Sequence, residues 1–393
     1  MKKLIFLFIL LLSFSLVSCK DKKEPVDGFN ITYEVNGHGK APSKTQGNKL
    51  PDPLPMLDDD NGWVFIKWYK DKSLEVPAVA GETISSDTTL YAEWEQRYPN
   101  KVDIYMPDGT PALALANILD ENFTYEKAKT NFHIVQATEI AARVSQDTCD
   151  LAIMPTTAAA QLYVSKGIKI QLASVNVFGN LFITGTHEIS SLDDLKGKLI
   201  LTTAATTIQM VKYVLDGNNI PYEESGEAIS GKVALSSVND ASEIIPQIKQ
   251  AVLKGTEIYG VLGEPQVTRA QSLIPEMKIT VDLQAEYKKL TTYDGYPQAC
   301  LVVKEEFAKT YPDYVKALLK KLEGNSAYLN SHLETLPNVF KKYESNLGNM
   351  TFTQDTITRC NVRVETAGSV KNSVKEYVKE LTKLDLDDHF FWN

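Results

Sequence analysis

The sequence has few cysteines, and their spacing does not suit a metal. Its 393 residues include four cysteines, at positions 19, 149, 300 and 360. No CxxC pair and no Cys/His cluster occurs, so we expect neither a zinc site nor any other bound metal. Cys149, Cys300 and Cys360 are interpreted as small buried hydrophobic residues, and a single disulfide among them is left open.

The motifs of the common catalytic centres are absent as well. No GxSxG, HExxH or P-loop spacing occurs, and the five histidines have no Ser/Asp or Cys partner pattern. We therefore predict that the protein is not an enzyme and that it needs no cofactor. The net charge of −9, without a Lys/Arg-rich face, argues against nucleic acid and against an anionic membrane surface as partners.

Long apolar runs are confined to the N-terminus. Lys2 and Lys3 precede an apolar run over residues 4–12, which continues past Ser13 to Val17. This pattern is typical of a secretory signal peptide, and no later segment is long and apolar enough to cross a bilayer. The run ends in Leu-Val-Ser-Cys at residues 16–19, which resembles a bacterial lipobox.

The lipobox resemblance implies cleavage before Cys19 and attachment of lipid to its sulfur. Residues 1–18 are then a lipoprotein signal peptide, and residues 19–27 are a lipidated, solvated tether. We expect an exported protein that is anchored to the cell membrane by this lipid alone, on the periplasmic or cell-surface side. A plain signal peptide followed by an incidental cysteine is the alternative.

Residues 28–96 have little helical periodicity, many turn formers and three of the four tryptophans. Three stretches alternate in polarity and predict short strands: residues 30–35 (NITYEV), 63–69 (WVFIKWY) and 89–94 (TLYAEW). At residues 33–39, 65–69 and 87–94 the stretch resembles the Listeria–Bacteroides repeat, a small β-grasp-like module of bacterial surface proteins. The resemblance implies an all-β spacer or docking module, whose aromatic residues we interpret as its own core.

From residue 101 onward, predicted strands and helices alternate, which favours mostly parallel sheets covered by helices. Three predicted strand-to-helix corners carry small and hydroxyl-bearing residues: Asp108-Gly109-Thr110-Pro111, Pro155-Thr156-Thr157 and Thr206-Thr207. Ligands of open α/β sheets bind outside the carboxyl ends of the strands. The first turn of a helix also has free N–H groups and a partial positive charge. These corners therefore predict a small-ligand site, although threonine is also a common helix cap.

Two strand-like passages bracket the second α/β unit, "SVNVFGNLFITG" at residues 174–185 and "YDGYPQACLVV" at residues 293–303. Such passages are what a two-lobed protein with a double crossover needs. Residues 101–384 resemble a type II periplasmic solute-binding protein of an ABC importer, nearest the nitrate, sulfonate, taurine and thiamine-precursor branch. The stretches that carry the resemblance are residues 108–116, 150–157, 175–181, 191–198, 263–265 and 361–363.

This resemblance implies an α/β fold of two lobes, with a cleft that closes on a solute and delivers it to a membrane permease. The solute-binding domain would be a monomer over residues 97–393, with one lobe at about 101–179 and 297–393 and the other at about 180–296. Site residues carried over by the resemblance are Asp108, Gly109, Thr110, Pro155, Thr156 and Asn176 in the first lobe, Thr206, Thr207 and Glu264 in the second, and Phe178 and Tyr296 as aromatic walls.

The predicted cleft constrains the solute only weakly. None of the three corners contains Lys or Arg, so a nitrate or sulfonate would be held by N–H groups and hydroxyls. Asp108 and Glu264 instead favour an amine or a ring N–H, as in a pyrimidine, unless Asp108 is a turn residue and Glu264 complements a helix dipole. The competing function is a surface-exposed ligand sensor or adhesin that uses the same fold without transport.

Overall fold

The computed structural model describes residues 28–203, 205–239 and 241–393, apart from the side chain of residue 205. The signal peptide, Cys19 and the tether lie outside the described residues. The chain divides into two units between Gln96 and Arg97. Within the described part, no helix is long and apolar enough to span a membrane.

The first unit is a single four-stranded sheet. Its strands are β1 (Phe29–Glu34), β2 (Thr45–Gly47), β3 (Trp63–Tyr69) and β4 (Thr88–Gln96), in the order β2-β1-β4-β3. The central pair, β1 and β4, is parallel, and the outer pairs are antiparallel, which is a β-grasp-like arrangement. Trp68 is 1% exposed and packs with Tyr33, Phe65 and Leu90, so the aromatic residues form the core of this all-β unit.

The second unit alternates strands and helices along the chain. Its strands are β5 (Lys101–Pro107), β6 (Lys129–Val135), β7 (Leu151–Pro155), β8 (Ile170–Phe178), β9 (Leu181–Gly185), β10 (Leu199–Thr202), β11 (Tyr222–Glu224), β12 (Val233–Ser237), β13 (Ile258–Gly263), β14 (Lys278–Asp282), β15 (Pro297–Lys304) and β16 (Val362–Thr366). Its helices are α1 (Thr110–Leu113), α2 (Ala116–Asp120), α3 (Ile140–Val144), α4 (Thr156–Lys166), α5 (Ala205–Gly217), α6 (Ile244–Lys254), α7 (Gln266–Leu273), α8 (Leu283–Leu290), α9 (Glu305–Thr310), α10 (Pro312–Leu322), α11 (Asn325–Ser331), α12 (Leu336–Lys341), α13 (Gln354–Cys360) and α14 (Ala367–Thr382).

These strands form two six-stranded sheets, and each sheet is the centre of one lobe. The first lobe has the order β16-β8-β15-β7-β5-β6, and the second lobe has the order β11-β12-β10-β13-β9-β14. The chain passes from the first lobe to the second between β8 and β9 and returns through β15, so two crossovers join the lobes. The predicted two-lobed α/β fold is confirmed.

A buried apolar cluster runs through both lobes. It includes Met154 and Val374 of the first lobe and Ile200 and Val211 of the second, all at most 2% exposed. Helices thus cover sheet surfaces whose strands read as near-continuous apolar runs, as expected for parallel strands buried on both faces. The carboxyl ends of the parallel strands are left to meet between the lobes.

One predicted helix is broken in the structure. The sequence favours a single helix over residues 112–119, but α1 ends at Leu113 and α2 begins at Ala116. In a continuous helix, the Leu113 carbonyl would accept from the Asn117 N–H. Instead Asn325 Nδ2 donates to Leu113 O at 3.0 Å, and Asn325 Oδ1 accepts from Asn117 N at 2.9 Å. The buried Asn325 side chain forms hydrogen bonds with the Leu113 carbonyl and the Asn117 N–H, and so replaces the helical bond between them.

Candidate interlobe binding site

The first contact between the lobes joins two helix N-termini. α4 begins directly after β7, so Thr156 and Thr157 lie in its first turn, and both are buried. Thr206 lies in the first turn of α5, and its Oγ1 is 2.9 Å from Thr157 Oγ1. Thr207 Oγ1 accepts from Thr203 Oγ1 at 3.2 Å. Two helix ends with free N–H groups and hydroxyls therefore face each other across the cleft.

A second contact lies closer to the crossovers. Thr110 Oγ1 donates to the carbonyl oxygen of Glu264 at 2.5 Å, which links α1 of the first lobe to the end of β13. Asn180 Nδ2 donates to the same hydroxyl at 2.9 Å. Gly109 has a φ of 104°, a conformation that favours glycine, and a Cβ there would lie 4.0 Å from Pro265 Cδ. The backbones of the two lobes therefore approach closely at this corner.

Glu264 is engaged by protein groups rather than left free in the cleft. Its Oε1 accepts from Arg359 Nε at 2.6 Å and from Thr268 Oγ1 at 3.1 Å, and its Oε2 accepts from Thr268 N at 3.1 Å. The Glu264 side chain has no exposed surface. Because Arg359 belongs to α13 of the first lobe, this is an ion pair between the lobes. The Arg359 guanidinium thus neutralises the Glu264 carboxylate, which the sequence analysis considered as a partner for an amine of the solute.

The Asp108 carboxylate is likewise engaged by protein groups, here by Ser345 and Asn346. Its Oδ1 accepts from Ser345 Oγ at 2.5 Å, and its Oδ2 accepts from the backbone N and Nδ2 of Asn346, both at 2.9 Å. Oδ1 also accepts from the Gly109 N–H at 2.9 Å. This geometry favours the interpretation of Asp108 as a turn residue, which ties the loop at 345–346 to the end of β5.

The two predicted aromatic walls are packed at the crossovers. Phe178 is 3% exposed, and the Arg363 guanidinium lies 3.4 Å from its ring centroid. Tyr296 is fully buried against Tyr377, and its hydroxyl accepts from the Leu181 N–H at 3.3 Å. Burial raises the pKa of Tyr296 well above its usual value. Both rings are therefore buried packing residues at the strands that cross between the lobes.

Asn176 stands at an irregularity of β8. The neighbouring strand β15 pairs Ala299 with Val177 and Cys300 with Val175, so Asn176 is the extra residue of a bulge. Asn176 is 0% exposed, its Oδ1 accepts from Ser174 Oγ at 2.8 Å, and its Nδ2 has no hydrogen-bond partner. Pro155 pairs with Ala299, so Asn176 and the α4 corner lie at the same edge of the sheet.

Several residues that connect the lobes were not predicted from the sequence. They include Asn180, Thr268, Thr356 and Arg359; Thr268 Oγ1 and Thr356 Oγ1 are 2.9 Å apart. Asn180 could have been found from the sequence, because it is a polar residue within the otherwise apolar stretch at residues 174–185. Thr268, Thr356 and Arg359 lie on helices with no distinguishing pattern, and only tertiary packing brings them to Glu264.

The cysteines and acidic residues show no metal centre in the described part of the chain. No group of three or more His, Cys, Asp or Glu side chains is placed there to hold a metal ion. Cys149, Cys300 and Cys360 are all free thiols in the interior. Burial raises the pKa of Cys149 and of Cys300 to about 12, so these thiols stay protonated at neutral pH.

No family model and no curated protein matches the sequence significantly, but solved structures share its fold. The crystal structure of an ABC transporter from Parabacteroides distasonis is 21% identical and covers 75% of this chain and 99% of its own, with a TM-score of 0.60. A ligand-binding component of an ABC-type import system from Staphylococcus aureus, with zinc bound, is 12% identical and covers 75% and 96%, with a TM-score of 0.55.

A third structure is the periplasmic aliphatic sulphonate-binding protein SsuA from Escherichia coli. It is 11% identical and covers 75% of this chain and 93% of its own, with a TM-score of 0.55. At these identities the likeness concerns the fold alone. The chain thus has the two-lobed fold of periplasmic solute-binding proteins of ABC importers.

Proposed function

We propose that the protein is the solute-binding component of an ABC importer, and that it captures a small solute between its two lobes. The observation that carries this proposal is the contact of Thr157 with Thr206. It places the N-termini of α4 and α5, from opposite lobes, within one hydroxyl–hydroxyl hydrogen bond of each other. A solute beside this contact would be met by N–H groups and hydroxyls from both lobes, so its binding favours closure.

The fold supports this proposal. Structures with the same two-lobed architecture are import-system binding components, and solute capture by hinge closure is a common use of two lobes joined by crossover strands. The site residues proposed for the solute are Gly109, Thr110, Pro155, Thr156, Asn176, Thr206 and Thr207. Asp108, Glu264, Phe178 and Tyr296 support the site from behind, because their polar groups and rings are engaged within the protein.

The N-terminal segment would keep the binding protein at the membrane. In this proposal Cys19 carries the lipid, the tether over residues 19–27 gives reach, and the all-β unit is a spacer between anchor and binding lobes. The loaded protein then delivers its solute to the permease subunits. Metabolic labelling with palmitate, compared between the wild type and Cys19→Ala, tests the anchor: the wild type should incorporate label and the variant should not.

Thermal unfolding in the presence of candidate solutes tests the capture of a solute. The Tm of the protein beginning at Lys20 is measured in the presence of nitrate, sulfonates, pyrimidines, thiamine precursors and small amides. A ligand at a hundred times its Kd adds about 2.7 kcal/mol, which raises Tm by about 5 °C for a unit of this size. If no compound shifts Tm and native mass spectrometry finds no co-purified solute, the proposal fails and a sensor or adhesin becomes the better interpretation.

A further inference from the structure

Asn180 lies in the first crossover, between the end of β8 at Phe178 and the start of β9 at Leu181. Its backbone N donates to Gln298 Oε1 at 3.0 Å, and its backbone carbonyl accepts from Glu264 N at 3.3 Å. The residue is 2% exposed. The crossover backbone therefore fixes the position of this side chain between the two lobes.

The hydrogen bonds of Thr110 fix the orientation of the Asn180 amide. A hydroxyl has one proton to donate, and Thr110 Oγ1 donates it to the carbonyl of Glu264 at 2.5 Å. Thr110 Oγ1 therefore accepts from its other neighbour, so the group that faces it at 2.9 Å is the Asn180 NH₂. The Asn180 carbonyl oxygen, Oδ1, consequently points away from Thr110.

Asn180 Oδ1 is buried and receives no hydrogen bond. It lies beside Gly263, the last residue of β13, where an added Cβ would come within 3.4 Å of it. Asn176 shows the complementary situation four residues earlier: its Oδ1 accepts from Ser174, and its Nδ2 is buried without an acceptor. Buried polar groups are nearly always hydrogen-bonded in native proteins. One free acceptor thus lies in the first crossover, and one free donor lies on β8, the strand that leads into it.

The charged groups around this crossover are already compensated. Arg359 binds Glu264, and Arg363 donates to Asn361 Oδ1 at 2.7 Å and to Glu365 Oε1 at 2.8 Å. Asp108 accepts four hydrogen bonds from its own chain. Among the described residues of the second unit, the buried side-chain atoms without a hydrogen-bond partner are Thr156 Oγ1, Asn176 Nδ2 and Asn180 Oδ1, and all three belong to uncharged groups.

We propose that Asn180 and Asn176 select the solute, and that the solute is an uncharged molecule with an N–H donor and a carbonyl acceptor, as in a primary amide or a lactam ring. The N–H donates to Asn180 Oδ1, and the carbonyl accepts from Asn176 Nδ2. Nitrate and sulfonates offer acceptors only, so they leave Asn180 Oδ1 without a donor and place negative charge against it. This inference rests on the proposed function, because it concerns the same cleft.

Calorimetric titration of the protein beginning at Lys20 tests the selection. The compounds form two arms: uracil, cytosine, nicotinamide and urea carry N–H donors, whereas nitrate, sulfate and methanesulfonate carry none. We expect the tightest binder to belong to the first arm, with a Kd at least tenfold below that of any compound in the second. Binding confined to the donor-free arm overturns this inference and leaves the proposed function standing. Both fail if no compound of either arm or of the thermal panel binds and native mass spectrometry finds no co-purified solute.

Substitutions of Asn180 test whether this residue causes the preference for solutes that carry an N–H donor. Asn180→Leu should weaken the tightest binder at least tenfold, and Asn180→Asp, which keeps an acceptor oxygen, should retain that binder and further exclude nitrate. Asn325→Leu is the matched control, because Asn325 is equally buried and bonded to Asn117 N and Leu113 O; it should lower stability without changing the order of the two arms. An Asn180→Leu protein that binds the tightest-binding compound within threefold of the wild-type affinity contradicts the assignment, and so does an Asn180→Asp protein that loses this compound as completely as Asn180→Leu.

Discussion

Glu264 of the second lobe and Arg359 of the first lobe form an ion pair, with 2.6 Å between Oε1 and Nε. The carboxylate has no exposed surface, whereas the arginine side chain is 26% exposed. Thr268 and Thr356 add a hydroxyl contact of 2.9 Å beside it. These contacts fasten the end of β13 to α13 and so hold the two lobes together at this corner.

Replacing Arg359 should destabilise the protein strongly. Arg359→Met leaves the Glu264 carboxylate buried without its cation, and removing one partner of a buried pair costs about 3–5 kcal/mol. Urea unfolding measures the change. Arg143→Met is the control, because the Arg143–Glu139 pair is exposed on α3 and should contribute less than about 1 kcal/mol. Equal effects of the two substitutions would contradict the role given to the ion pair.

Asp108 should affect stability rather than solute preference. Asp108→Ala removes the acceptor of the Ser345 hydroxyl and of two Asn346 N–H groups, and the expected loss is about 2 kcal/mol. Asp108→Asn keeps one oxygen and should lose less. If Asp108→Ala instead leaves urea unfolding unchanged and alters which solutes bind, then Asp108 is a ligand contact, as the sequence alone also allowed.

Gly179 in the first crossover should tolerate no side chain. A Cβ at this position would lie 2.1 Å from Gln284 Oε1 and 2.2 Å from Tyr296 Cε1, and the Tyr296 ring is fully buried. Gly179→Ala is therefore expected to lower the free energy of unfolding by about 2–3 kcal/mol. Gly368→Ala in α14 is the control: nothing lies within 4 Å of its added Cβ, and it should stabilise the helix by up to about 1 kcal/mol.

Asp150 should make stability fall as pH rises from 4 to 7. Burial is the main cause that raises its pKa from 3.8 to about 6, so the folded state binds a proton that the unfolded state has released. The stabilising effect of that proton is complete below pH 4 and is lost as the pH passes 6. Asp150→Asn still accepts from Asp103 N, the bond that Asp150 Oδ2 makes at 2.8 Å. The variant should match the wild type at pH 4 and exceed it by about 3 kcal/mol at pH 7.5; a difference independent of pH would rule this out.

The strand-to-helix corners were predictable because their signals are local. Proline at 155 and hydroxyl residues after it mark the junction, and the structure ends β7 at Pro155 and begins α4 at Thr156. The Asn and Gly residues that interrupt an apolar stretch likewise marked the crossover between β8 and β9. Alternating strands and helices were enough to predict parallel sheets covered by helices, since such alternation has few stable arrangements, whereas the two lobes were implied by the resemblance to solute-binding proteins.

The partners of the acidic residues were not predictable, because they are distant in sequence. Ser345 is 237 residues from Asp108, and Arg359 is 95 residues from Glu264. Sequence alone therefore left open whether the two carboxylates bind a solute or serve a turn and a helix dipole, whereas tertiary packing gives each carboxylate partners within the protein. The break between α1 and α2 has the same origin, since the interrupting side chain, Asn325, lies on α11.

A reversible covalent bond across the cleft tests solute capture most directly. Thr157 and Thr206 have hydroxyl oxygens 2.9 Å apart, so Thr157→Cys with Thr206→Cys, in the protein beginning at Lys20, places two sulfurs within reach of a disulfide. The variant is saturated with a solute that raises Tm, oxidised, and diluted while the release of solute is timed. We expect oxidation to slow release at least a hundredfold and reduction to restore it. Release at the same rate before and after oxidation, with the disulfide formed, would show that the solute does not lie between the lobes.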